Sequence, residues 1–188
     1  MNHIGVIAED NSDIEVVNQL AQKIAGKRSF AIRSFVGHGC GKIRGKCQQW
    51  ASVLRARRCT SIILLHDLDE RNLRELSEQL REAFRPCPIQ NNIIIIPVRE
   101  IEAWLLSDEI AIRKAMNLKD RVSRVPNPEA LTDPKRKLEE IIYLRSRKTK
   151  RYINTVHNGR IAAAMSLERA RRCASFRPLE EFLNTHLT

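Results

Sequence analysis

Four short apolar runs, separated by longer amphipathic stretches, organise the first 110 residues. Residues 4–8 (IGVIA) are uninterrupted and predict a buried strand, which stops at Glu9-Asp10-Asn11-Ser12-Asp13. Ile14, Val17, Leu20, Ala21 and Ile24 recur at helical spacing, with Ser12 or Asp13 as N-cap and Gly26 as the stop. Phe30–Val36 alternates apolar and polar positions and predicts a second strand. Residues 37–46 hold four of the seven glycines and lead into a helix through Trp50, Val53 and Leu54 with a basic face of Arg55, Arg57 and Arg58. Ser61–Leu65 (SIILL) predicts the third strand and runs into His66-Asp67-Leu68-Asp69. A charged helix over 70–84 ends before Pro86 and Pro88, residues 92–98 (NIIIIPV) predict the fourth strand, and 99–106 begin another helix.

Strands alternating with helices predict an α/β fold whose mainly parallel four-stranded sheet is covered on both faces. Beyond residue 110 no strand pattern appears; Pro126, Pro128 and Pro134 mark a loop, and helices are predicted over Pro134–Arg145, 159–174 and 179–187. The chain therefore reads as an α/β core (1–110) with a helical C-terminal extension (111–188) packed on the same domain.

Composition narrows the function classes. At 43% hydrophobic residues the 188-residue chain can bury a core, and no apolar run approaches the roughly 20 residues a membrane span needs. The start, Met-Asn-His-Ile-Gly, lacks a charged segment followed by a long apolar one, so a cytoplasmic address is expected. Five cysteines without a Cys-x-x-Cys pair read as free thiols of a reducing compartment. His38, Cys40 and Cys47 lie close together, but no fourth ligand supports a zinc site. The net charge of +11 favours a polyanionic partner, because Lys and Arg gain by displacing counterions from phosphates.

Candidate chemistry lies where the strands end. In a parallel sheet, ligands bind outside the carboxyl ends of the strands. Three predicted strands bring carboxylates there: Glu9 after the first, Asp67 and Asp69 after the third, Glu100 and Glu102 after the fourth. Alternation along an extended backbone would aim Asp67 and Asp69 the same way. Carboxylates crowded at one edge repel one another, and a divalent cation removes the conflict. Hard oxygen ligands suit Mg²⁺ or Mn²⁺. Any one of these acids could instead be a helix cap, and Asp10 and Asp108 are expected to cap a helix or to face solvent.

A strand ending in Glu with Asp four residues on (IGVIAEDNSD), followed by a strand ending in Asp-x-Asp (SIILLHDLD), resembles the TOPRIM domain of topoisomerases, primases and overcoming-lysogenization-defect nucleases. Residues 97–108 (PVREIEAWLLSD), the Gly-rich basic segment 37–46 and residues 173–182 resemble small stand-alone TOPRIM-like proteins of bacteria. The resemblance implies a Rossmann-type sheet and a Mg²⁺-dependent nuclease acting on DNA or RNA, the effector of a phage-defence system controlled by an ABC- or SMC-like ATPase. It implies Glu9 as metal ligand or general acid/base, Asp67 and Asp69 as Mg²⁺ ligands, Asp13 as a further aspartate, and Glu102 (or Glu100) as a further acid. Such domains usually carry Gly directly after the first Glu, where this chain has Asp10, and His66 before the Asp-x-Asp is also unusual. His66 is either a proton carrier or a satisfied histidine.

Lys42, Arg44 and Lys46 are candidates to steady substrate phosphates from a glycine-rich loop. Lys135, Arg136, Lys137, Arg145, Arg147, Lys148, Lys150 and Arg151 form a second basic cluster, a candidate nucleic-acid track or partner surface, in which Tyr143 and Tyr152 could stack on bases. Trp104, Ile101 and Leu105 read as core. The alternative function is a non-catalytic TOPRIM-like module that binds a partner ATPase, nucleic acid or both. A phosphatase is disfavoured, because phosphatases with an aspartate nucleophile generally carry Asp-x-Asp after the first strand.

Overall fold

Val6, Ile7 and Ala8 have no exposed surface, so strand β1 (Asn2–Ala8) lies in the middle of its sheet. In the computed structural model, which describes residues 2–37 and 40–187, β1 pairs with β2 (Phe30–Val36) and with β3 (Ser61–Leu65). β3 also pairs with β4 (Asn91–Ile95), giving the order β2-β1-β3-β4 with every pairing parallel. Parallel neighbours need crossover connections, here the helices α1 (Asn11–Ala25), α2 (Cys40–Ala56) and α3 (Leu73–Phe84).

Side-chain alternation splits the core into two layers. Val6, Ala8, Ile63, Leu65 and Ile95 pack toward α1, while Ile7, Ile62 and Leu64 pack toward α2 and α3. At Gly5 a Cβ would stand 2.9 Å from Leu54 Cδ1, so a larger residue there would force the Leu54 side chain of α2 to shift. The α1 layer continues into α4 (Glu102–Leu106), α5 (Glu109–Ala115), α6 (Pro134–Arg145), α7 (Asn154–Ala164), α8 (Leu167–Ala170) and α9 (Arg177–His186). Leu138, Ile142, Ile161, Leu179 and Leu183 from these helices share one core with Val16, Val17 and Leu20 of α1. The fold is Rossmann-like, with helices on both faces of an all-parallel sheet and a C-terminal helical part built into one of them. No helix among the described residues is long and apolar enough to cross a membrane.

Several local expectations are corrected. The N-cap of α1 is Asp10, whose side chain accepts from Ser12 N–H, not Ser12 or Asp13. The expected basic loop is helical: Gly41, Lys42, Arg44, Gly45 and Lys46 all belong to α2, while His38 and Gly39 fall outside the described residues. Glycine lowers helix propensity by about 1 kcal/mol each, and buried Ile43, Cys47 and Trp50 override it by anchoring one face. The helix expected over 159–174 starts earlier and breaks at Ser166, whose N–H donates to Asp108 Oδ2 at 2.9 Å. α5 was not anticipated; Asp108 caps it by accepting from Ile110 and Ala111 N–H. Cys47, Cys59, Cys87 and Cys173 are free thiols, and Cys47, fully buried with Sγ donating to Ala83 O, is a core residue.

Candidate functional site

β1 and β3 are direct neighbours, so their carboxyl ends deliver side chains to one place. Ile7 is level with Leu64, and carrying that register two residues further sets Glu9 beside His66. Glu9 Oε1 indeed lies 2.9 Å from His66 Nδ1, which also contacts the Asp67 carbonyl oxygen at 2.8 Å. A carbonyl only accepts, so Nδ1 carries the proton; Nε2 is buried without a partner among the described residues. His66 is thus half satisfied. The Glu9 contact is short yet Oε1 makes no well-aligned hydrogen bond, because the ring N–H is directed at the carbonyl.

Asp67 lies one position past His66 and shares the parity of Ile63 and Leu65, which places it on the α1 side of the sheet. There it meets Asp13 from the first turn of α1 and Glu102 from the start of α4. Asp13 is 7% exposed and Glu102 4% exposed, so neither charge is relaxed by water. Burial, followed by repulsion from Asp13, Glu102, Glu9 and Asp69, holds Asp67 well above the usual carboxylate range. Asp13 is pushed up to about 7, first by burial and then by Glu102, Asp10 and Glu9, against the opposing effect of the Asp10 N–H it accepts at 3.0 Å. Asp67 Oδ1 has no exposed surface and no hydrogen-bond donor among the described residues.

The expected set therefore divides. Glu9, Asp13, Asp67 and Glu102 stand within electrostatic reach of one another. Asp69 does not align with Asp67, because β3 has ended and Asp69 turns at φ 52°; it is exposed and raised by partial burial and by Glu9, so it sits at the rim. Glu100 is also peripheral, accepting from Lys135 N–H at 3.0 Å. The glycine usual after the first Glu is not required, since Asp10 has an ordinary extended backbone at φ −132° and its side chain caps α1.

Sequence reasoning missed the residues that hold Glu102. Tyr152 OH donates to Glu102 Oε1 at 2.9 Å and Asn158 Nδ2 donates to the same oxygen at 3.2 Å. The single hydroxyl proton of Tyr152 is shared with a very short contact to Asn158 Oδ1. Burial and Glu102 push the Tyr152 phenol far up, and with 5% exposure its ring is not available to stack on bases. Tyr143, 40% exposed, is.

The basic candidates separate as well. Lys42 and Lys46 are exposed on α2, and Arg44 donates to Gln79 at 2.9 Å. Lys148 and Arg151 are exposed, whereas Lys150 Nζ donates to Met116 O at 2.5 Å and so caps the end of α5. That engagement removes Lys150 from the expected phosphate contacts.

The Asp13 shift has a measurable consequence. Its folded pKa lies above its unfolded value, so the associated stability is fully present below about pH 4 and is lost as pH rises through about 7. Between pH 5 and 8 the metal-free wild type is expected to lose more thermal stability than Asp13→Asn, measured by calorimetry. Equal pH slopes for the two proteins would remove Asp13 from this account.

Fold and site define an α/β protein with a Rossmann-like parallel sheet and a desolvated carboxylate cluster at the carboxyl ends of β1 and β3. More particularly, the chain belongs to the family described as a domain of unknown function (DUF4276), which matches residues 8–184 and so spans every residue of the cluster. No curated protein and no solved structure matches it.

Proposed function

We propose that this protein is a Mg²⁺- or Mn²⁺-dependent nuclease of the TOPRIM kind that hydrolyses phosphodiester bonds in DNA or RNA. The observation that carries the reading is the meeting of Glu9, Asp13, Asp67 and Glu102 at the ends of adjacent strands, with Asp67 Oδ1 buried and unpartnered. Among the described residues no three His, Cys, Asp or Glu side chains form a ready-made metal cage. A bound Mg²⁺ would therefore take one or two of these carboxylates and complete its shell with water and substrate phosphate.

Asp67 would hold the ion, with Glu9 as its partner across the strand pair. Asp13 and Glu102, tied by their own hydrogen bonds, would supply negative potential and accept from bound water. A bound divalent ion would activate a water and stabilise the leaving oxygen of the phosphodiester. His66, with Nδ1 2.9 Å from Glu9 Oε1 and bonded to the Asp67 carbonyl, would pack beside the Glu9 carboxylate. Lys42, Lys46, Arg136, Lys148 and Arg151 are exposed and would neutralise backbone phosphates. Control by an ABC- or SMC-like ATPase in phage defence extends this reading.

The test is incubation with Mg²⁺ or Mn²⁺ and plasmid, single-stranded DNA or total RNA. Wild type should cleave at least one substrate, and Glu9→Ala and Asp67→Ala should not, with unchanged circular dichroism. Metal-dependent cleavage that survives in both variants would overturn the proposal. One observation favours a second reading, a non-catalytic module that binds an ATPase or nucleic acid: the engagement of Asp13 and Glu102 leaves few free ligand oxygens.

A further inference from the structure

β4 is an edge strand, and among the described residues it pairs with β3 alone. His66 N–H donates to Ile95 O and Leu68 N–H to Pro97 O, both at 3.1 Å, so these odd-numbered residues turn their main chain toward β3. Main-chain groups alternate sides along a strand. The N–H and C=O groups of Asn92, Ile94 and Ile96 therefore face away from the sheet. They face a groove made of two adjoining clefts, of about 800 and 460 Å³, that share Ser77, Arg81 and Ile94 and together follow the strand from Asn92 to Val98.

The groove has the features of a strand acceptor. One wall is α3, presenting Leu73 (50% exposed), Arg74 and Arg81; the other is the turn before α9, with Ala174 and Ser175, and Pro178 at the start of α9. Natural edges are usually blunted by Lys, Pro or a bulge, yet the five residues of β4 (NNIII) contain neither Lys nor Pro. Arg74, Arg81 and Arg85 line the clefts against Glu78 alone among acids. A second copy of this chain fits poorly, because each copy carries +11 and antiparallel pairing of two β4 edges would bring these arginines together. Nucleic acid also fits poorly, because the outward carbonyl oxygens and isoleucines would meet phosphates.

We propose that the β4 edge binds an extended acidic segment of a partner protein, which adds to the sheet as a fifth strand. The main-chain groups of Ile94 and Ile96 supply affinity, the isoleucine side chains take alternate apolar residues of the segment, and Arg81 and Arg85 select its charge, Arg74 being paired with Glu78 at 3.1 Å. This inference does not rest on the nuclease reading.

The experiment uses the full chain and a fluorescein-labelled ten-residue peptide of alternating Glu and Val, with a Lys-Val peptide as control. Fluorescence anisotropy should show saturable binding of the Glu-Val peptide only, weakened about tenfold by Arg81→Glu, where a peptide carboxylate meets repulsion in place of attraction. Hydrogen exchange should slow at the Ile94 and Ile96 amides, while Ile93 and Ile95 stay as they are. Ile94→Pro removes an outward N–H at an edge position where proline is tolerated, and should abolish binding. Because that variant risks misfolding, Arg81→Glu, on an exposed helix face, is the deciding one. The proposal is overturned by absent binding, by unchanged exchange at Ile94 and Ile96, or by equal binding of the Lys-Val peptide. It is equally overturned if a single-stranded oligonucleotide protects these amides, or if sedimentation shows the chain dimerising through this edge.

Discussion

Replacing Asp67 by asparagine is expected to raise the melting temperature of the metal-free protein while removing the Mg²⁺ response and the nucleic-acid cleavage that the proposed function calls for. The two effects share one cause. Asp67 is a carboxylate surrounded by Asp13, Glu102 and Glu9, with one oxygen that finds neither water nor donor. Asparagine keeps the shape, removes the repulsion and can donate to its acidic neighbours. Relieving one desolvated charge of this kind contributes about 2 kcal/mol, or a rise of about 4–8 °C in a chain of this size. The wild type should recover the difference when Mg²⁺ is added: at a hundredfold excess over Kd a ligand stabilises by about 2.7 kcal/mol, about 5–11 °C. Asp67→Asn should show no such shift. Cleavage should fall at least about a hundredfold, since metal-assisted stabilisation is worth several kcal/mol and each 1.36 kcal/mol is tenfold. Calorimetry with and without Mg²⁺ checks the first part. A lower Tm in the metal-free variant would mean that Asp67 is a structural acceptor and not a strained ligand.

The largest loss of stability is expected from Trp104→Ala. Trp104 is fully buried, sits edge-on to Phe176 with ring centroids 5.6 Å apart, and donates from Nε1 to Ser175 Oγ at 2.8 Å. Ser175 is held in turn by Glu129, which accepts from the Ala174 and Ser175 N–H groups and the Ser175 hydroxyl. Truncation leaves a cavity and takes the indole donor from the Ser175 hydroxyl, which still donates to Glu129, a cost of about 3–5 kcal/mol. The melting temperature should fall by about 6–20 °C. Because α4 has only five residues and also carries Glu102, the same variant should weaken the Mg²⁺ binding proposed above. Urea unfolding and a metal titration at a temperature where the variant is folded check both. A loss below about 1 kcal/mol would show that the site repacks, as well-tolerated core substitutions do.

Legibility from the sequence followed the range of the interactions. The strand interiors were readable because burial on both faces of a parallel sheet demands continuous apolar runs, and IGVIA and SIILL are such runs. Glu9 and Asp67 were readable because they directly follow those runs. Asp69 was misread because alternation was extended past the end of β3 into a turn at positive φ. Tyr152 and Asn158 carried no local signal: they lie 50 and 56 residues from the Glu102 oxygen they hold. The glycines at 41 and 45 suggested a loop on propensity alone, and the buried face of α2 outweighed it.

By itself the sequence determined the alternation of strands and helices, the burial of the sheet and the delivery of acids to the strand ends. These follow from hydrophobic periodicity, which is local. Only the tertiary structure decided the strand order that makes β1 and β3 neighbours, and with it which acids share a site and which stand at the rim. It also decided that the C-terminal helices wall the site, that Lys150 is occupied, and that β4 is left with an open edge. Those outcomes depend on contacts between residues far apart in the chain, whose partners are set by packing and by the hydrogen-bonding needs of buried groups.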